Sequence, residues 1–126
     1  MDGWPKSWAR DEPDYAVGDR IVVELLPILQ HLLARGLAWK TISRHKDNVY
    51  LIGAQVLDHM TREPEDALMP VSDAFDHVLY GCEDGEDGPE LRYLDAAAQR
   101  EFNTTCRLVA KFRVAAARNA REGAAA

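Results

Sequence analysis

The sequence predicts an all-α fold: a four- to five-helix bundle organised around an αα-hairpin. Three observations predict it. Apolar residues recur at helical spacing over residues 25–60 and again over residues 102–116. Gly36 interrupts the first of these stretches at the point where a helix needs a stop. Proline and glycine otherwise gather between the periodic segments, at Pro64, Pro70, Gly81, Gly85, Gly88 and Pro89.

A chain of 126 residues, 47% apolar and 29% charged, has the size and balance of one globular domain. The boundaries that follow are an irregular arm over 1–18, a helical domain over 19–121 and a frayed tail over 122–126. In the arm, Pro5 and Pro13 break helix and the charges have no period. Trp4 and Trp8 are large apolar groups in a polar segment and are expected to pack back onto the domain.

The first helix is expected from Asp19, a suitable N-cap, to Arg35. Its apolar face is Ile21, Leu25, Ile28, Leu29, Leu32 and Leu33. Pro27 either bends this helix or starts a new segment after Leu26; a short strand over 21–23 is a weaker alternative. Gly36 ends it. The second helix is expected over Trp39–Thr61, with Ile42, Val49, Ile52, Val56 and Met60 as its stripe. A short helix over Glu65–Met69, closed by Pro70, and another over Val71–Tyr80, closed by Gly81, should follow. Residues 82–90, CEDGEDGPE, read as an acidic turn-rich loop. The last helix is capped by Asp95 and runs to about Asn119, with Phe102, Cys106, Val109, Phe112 and Ala116 in line.

Charge is unevenly spread. The net charge is −6, yet residues 58–95 hold twelve acids and two bases, while residues 100–121 hold six bases and one acid. The run from Arg35 to Asp47 has four bases and one acid. Lys40, Arg44 and Lys46 fall in the first turns of a helix, where the dipole favours anions, so they answer to something outside the helix, or are simply solvated, or pair with the acidic middle of the chain. Arg107 and Lys111 sit on the last helix, where bases suit its C-terminal half.

No catalytic signature is present: no GxSxG, no phosphate-binding glycine loop and no HExxH. His31, His45, His59 and His77 lack the three-to-five-residue spacing of a helical zinc pair, and Asp84 and Asp87 do not match a calcium loop. Neither enzyme activity, nor cofactor, nor metal is therefore expected. Cys82 and Cys106 are too few for a disulfide framework and read as free thiols, Cys106 in the core. Without a signal peptide or a membrane-spanning run, the expected location is cytoplasmic, with no membrane partner.

A helix-turn-helix reader over Gly36–Ala38 and WKTISRHKDN is less apt than a structural hairpin, because both helices outrun that motif. The stretch LLPILQHLLARGLAWKTISRHKDNVYLIGAQVL nevertheless resembles the opening of the N-terminal core-binding (SAM-like) domain of tyrosine recombinases and phage integrases. Gly36 and Leu37 match its Gly-Leu turn, and Lys40, Thr41 and Ile42, with Arg44 after them, match its basic helix start. Ala38 stands where the family has a small polar cap. FNTTCRLVAKF is similar to the closing helix of such a domain. The resemblance covers about half of the chain and implies a four-helix bundle whose Lys40, Thr41 and Arg44 lie near DNA phosphates. The family's catalytic Arg, His-x-x-Arg and Tyr signature is absent, so recombination chemistry is not implied.

Two functions follow as expectations. One is a non-enzymatic module with weak DNA binding through Lys40, Thr41, Arg44, Lys46, Arg107 and Lys111, weak because overall acidity opposes phosphate neutralisation. The other is a protein-interaction module whose acidic stretch, notably Glu83, Asp84, Glu86 and Asp87, meets a basic partner.

Overall fold

The computed structural model describes residues 3–8 and 13–125. Its elements are α1 (Trp4–Trp8), α2 (Pro13–Ala34), α3 (Trp39–Thr61), a 3₁₀ turn (Pro64–Leu68), α4 (Val71–Val78), a second 3₁₀ turn (Cys82–Asp84) and α5 (Ala96–Ala125). Strand is absent among the described residues. The chain divides into two compact units, residues 1–78 and 79–126.

The first unit is built on the hairpin of α2 and α3. Gly36 reverses the chain with φ of 68°, a conformation that side chains with a Cβ rarely adopt. The facing sides of the two helices are the ones the periodicity marks. Ile21, Leu25, Ile28 and Leu32 of α2 and Val49, Ile52, Val56 and Met60 of α3 are all buried. Ala74 and Phe75 bring α4 onto the pair. The short 3₁₀ turn is clasped to α2 by Arg20, whose guanidinium donates to the carbonyls of Ala67 and Met69, each at 2.9 Å.

Four expectations are corrected here. The stretch over 1–18 is not an irregular arm where it is described: residues 4–8 are helical, and α2 begins at Pro13, not Asp19. A proline is pre-shaped for the first helical turn, where its missing N–H costs nothing. Val17 is 7% exposed and extends the buried stripe one turn earlier than the periodicity suggested. Asp19 is thus an exposed residue inside α2 rather than its cap. The helix also continues through Pro27, so of the two readings a new segment after Leu26 is the one set aside. Pro27 is exposed, so water can reach the Val23 carbonyl that it leaves without a helical N–H. Lastly, Leu33 is 60% exposed, on the opposite side of α2 from the core.

The terminal tryptophans do pack back. Trp8 Nε1 donates to the Tyr50 carbonyl at 3.1 Å, and Ser7 hydrogen-bonds the Tyr50 hydroxyl. Trp4, Trp8 and Tyr50 form a three-ring cluster with centroids 5.3–5.7 Å apart. Two glycines make room. A Cβ on Gly53 would overlap the Trp8 ring, and one on Gly18 would lie 2.8 Å from Pro5 Cβ.

The second unit is α5 with the loop that precedes it. Asp95 caps α5, accepting from Ala98 N at 2.8 Å, as the sequence predicts. Gln99 ties the loop down: it accepts from Leu91 N at 2.9 Å and donates to the Pro89 carbonyl at 3.0 Å. Cys82, Leu91, Phe102, Cys106 and Val109 are buried, while beyond Phe112 and Arg113 the helix is exposed up to Gly123. The helix continues through residues 122–125, which were expected to fray; alanine carries the best helix propensity, and this end is rich in it.

Candidate nucleic-acid interface

The candidate interface starts at the hairpin turn. The last turn of α2 closes with Arg35 N bonding the Leu32 carbonyl at 3.3 Å, and Gly36 then reverses the chain. Ala38 is the N-cap of α3 and, having no polar side chain, makes no side-chain cap bond. The Ala38 carbonyl accepts from Thr41 N and Ile42 N, each at 3.0 Å. The first amides of α3 thus have no N-cap side chain to bond among the described residues, at the end of the helix where the dipole is positive.

Basic side chains stand around this end. Lys40 and Arg44 are exposed and one turn apart, on one face of α3. Arg35, which sequence reasoning left out of the set, joins them from the end of α2. His45, half-buried on α3, is acted on by the charges of both Arg35 and Arg44. That imidazole is held below its usual pKa by burial first, then by the charges of Arg35 and Arg44. The signal for Arg35 was present in the sequence, since it is the residue before the turn glycine, but only the structure shows its charge acting on His45 together with that of Arg44. Neither Lys40 nor Lys46 forms an ion pair with a described residue.

The remaining members of the set separate. Lys46 is exposed but points to another side of α3 from Lys40 and Arg44, two residues on from Arg44. Thr41 is half-buried. Arg107 and Lys111 belong to α5 in the second unit, and Arg107 is already engaged: its Nη1 lies 3.0 Å from Asp87 Oδ1. Trp39 adds an apolar surface that the sequence did not flag as accessible. It is 74% exposed, next to Lys40.

The acidic set lies on one loop of the second unit. Gly81 and Gly85 take φ of 78° and 99°, and the Gly81 carbonyl accepts from both Asp84 N and Glu86 N. Glu83, Asp84, Glu86 and Asp87 are exposed on this turn. Both cysteines are buried and reduced. Burial raises the pKa of each thiol above its usual value, most strongly for Cys106. Among the described residues no group of three or more His, Cys, Asp or Glu could hold a metal ion, and no helix is long and apolar enough to cross a membrane.

No protein-family model, curated protein or solved structure matches the chain.

Proposed function

We propose that this chain is a non-catalytic module that binds duplex DNA weakly through its phosphates, in the manner of the integrase core-binding domains it resembles. The observation that carries the reading is the start of α3. The N-cap, Ala38, offers no side-chain bond to the first amides at the positive end of the dipole, Lys40 and Arg44 are exposed in the first two turns, and Arg35 is exposed just before the turn. Amides and cations together suit a phosphate group. The same arrangement accounts for bases at the dipole end that would ordinarily repel them.

The reading sets a small electrostatic footprint. Three phosphate contacts give a slope of log affinity against log salt of roughly −3. Anisotropy titration of a labelled duplex at low ionic strength should detect binding with that slope, and Lys40→Glu with Arg44→Glu should abolish it. Absence of binding by the wild-type chain at low salt sinks the proposal.

A second reading rests on the loop of residues 83–87. Glu83, Asp84 and Glu86 are exposed and form no ion pair with a described residue, so they are available to a basic protein partner. This reading predicts co-purification of such a partner, lost when the four loop acids are replaced by their amides. Unchanged recovery excludes the loop as the contact.

A further inference from the structure

Of the three tryptophans, Trp4 and Trp8 are seated on Tyr50, whereas Trp39 is 74% exposed. Its ring meets no other ring, and its N–H no acceptor, among the described residues. Tryptophan is on average a deeply buried side chain, because so large a ring gains much by leaving water. Packing within the first unit therefore gives no reason for this ring at this place.

The helical period sets two lines on the exposed part of α3. Lys40 and Arg44 form one, four residues apart, and Asp47 falls on the same side seven residues after Lys40. Trp39, Ser43 and Lys46 form the other. Seven residues are nearly two full turns, so Lys46 stands on the side of Trp39, about 10 Å further along the axis. Lys46 is exposed and forms no ion pair with a described residue. This second line carries no acid between Trp39 and Tyr50, where it ends against α1. There the half-buried Trp4 ring lies 5.3 Å from the Tyr50 ring.

We infer that Trp39 is a stacking platform for an unpaired nucleobase, so that the DNA this site takes is a duplex with an adjoining single strand. The inference rests on the duplex reading above, in which Lys40 and Arg44 hold duplex phosphates. Inside a continuous duplex each base face is covered by its neighbours, and only an unpaired or terminal base has a face to offer an indole. An open ring with a cation further along the same line suits a strand leaving the duplex: the base stacks and its phosphates run towards Lys46. Aromatic platforms alternating with cations are how single strands are held. Lys46, which the helical period separates from Lys40 and Arg44, thereby has a phosphate of its own to meet.

Anisotropy titration of three labelled probes at low ionic strength tests this: a blunt duplex, the same duplex with a short thymine overhang, and the thymine strand alone. The overhang should tighten binding roughly ten-fold over the blunt duplex, in the range of one stacked base, and should quench tryptophan emission. Trp39→Ala should bring the overhang probe down to the affinity of the blunt duplex, with an unchanged helical circular-dichroism spectrum, since the ring is exposed. Trp39→Phe should keep most of the preference, because its ring still stacks, while the quench disappears. That loss assigns the signal to Trp39 rather than to Trp4 or Trp8. Lys46→Ala should narrow the preference. Equal affinity of the wild-type chain for blunt and overhang duplexes overturns the inference and leaves the duplex reading standing. A preference that survives Trp39→Ala overturns it as well. Binding of the thymine strand with no gain from the duplex keeps the platform and overturns the duplex reading. Absence of binding to all three probes sinks both.

Discussion

The imidazole rings of His59 and His77 stack with centroids 4.1 Å apart and planes 11° from parallel. The pair joins the last turn of α3 to the last turn of α4, and it is invisible in the sequence, where the two residues are eighteen positions apart. Stacking this close sets the His77 ring against His59, where its charge disfavours a charge on the His59 imidazole.

That contact sets a pH dependence. His59 is held below its usual pKa of 6.5, by burial first, then by the charges of His77 and Arg62, with Asp66 and Asp58 opposing. A histidine whose folded pKa lies below its unfolded value is protonated first in the unfolded chain. Stability from this source is therefore complete above about pH 6.5 and declines as the pH falls through that value. His45 shifts in the same direction and adds to the slope. The melting temperature should drop between pH 7.5 and pH 5.5, and His59→Gln should make the drop smaller. Equal slopes in the two proteins would remove His59 from the account.

Docking of α1 depends on the missing Cβ of Gly53. Gly53→Val should push the Trp8 ring off its seat, at about 2 kcal/mol in the range of overpacked contacts. Tryptophan emission should shift to the red as Trp8 enters water. In a Trp8→Ala background the same change at Gly53 should cost much less, because the overlapping ring is gone. Additive losses of stability would show that the ring and the glycine do not meet.

The second unit has a comparable contact. A Cβ on Gly88 would lie 2.5 Å from Cys106 Sγ and 3.0 Å from its Cβ, so Gly88→Ala should loosen the loop from α5 by about 1–3 kcal/mol. Thiol titration with an aromatic disulfide reports this directly. In the native protein both buried thiols, their pKa values raised, should react slowly. In Gly88→Ala the rate should rise towards that of the unfolded chain.

The ion pair of Arg107 with Asp87 joins a member of each of the two contact sets expected from the sequence. Its exposed geometry makes it worth at most about 1 kcal/mol of stability. Asp87→Asn should leave the melting temperature within two or three degrees of wild type. If α5 contributes to DNA binding, the same change frees the guanidinium and should raise duplex affinity a few-fold at low salt. Unaltered affinity would confine the interface to the start of α3.

Sequence alone determined the helical elements that carry a strong period. The buried faces of α2 and α3, the reversal at Gly36, the cap at Asp95 and the core placement of Cys106 follow from spacing and from single-residue stereochemistry, which act over a few residues. The start of α2 was misplaced because Pro13 read as a breaker, whereas it sits where a helix tolerates proline, and Gly18 inside the helix leaves the space that Pro5 fills. The basic start of α3 was likewise visible as a run of residues, but its composition as a site was not. Arg35 and Arg44 act together on His45, Lys46 turns away on the helical period, and Arg107 is taken by an acid twenty residues earlier. The tertiary structure decided these matters, along with the His59–His77 stack and the seats of Trp8 and Cys106. Each depends on which atoms meet across elements, and a one-dimensional pattern holds no term for that distance.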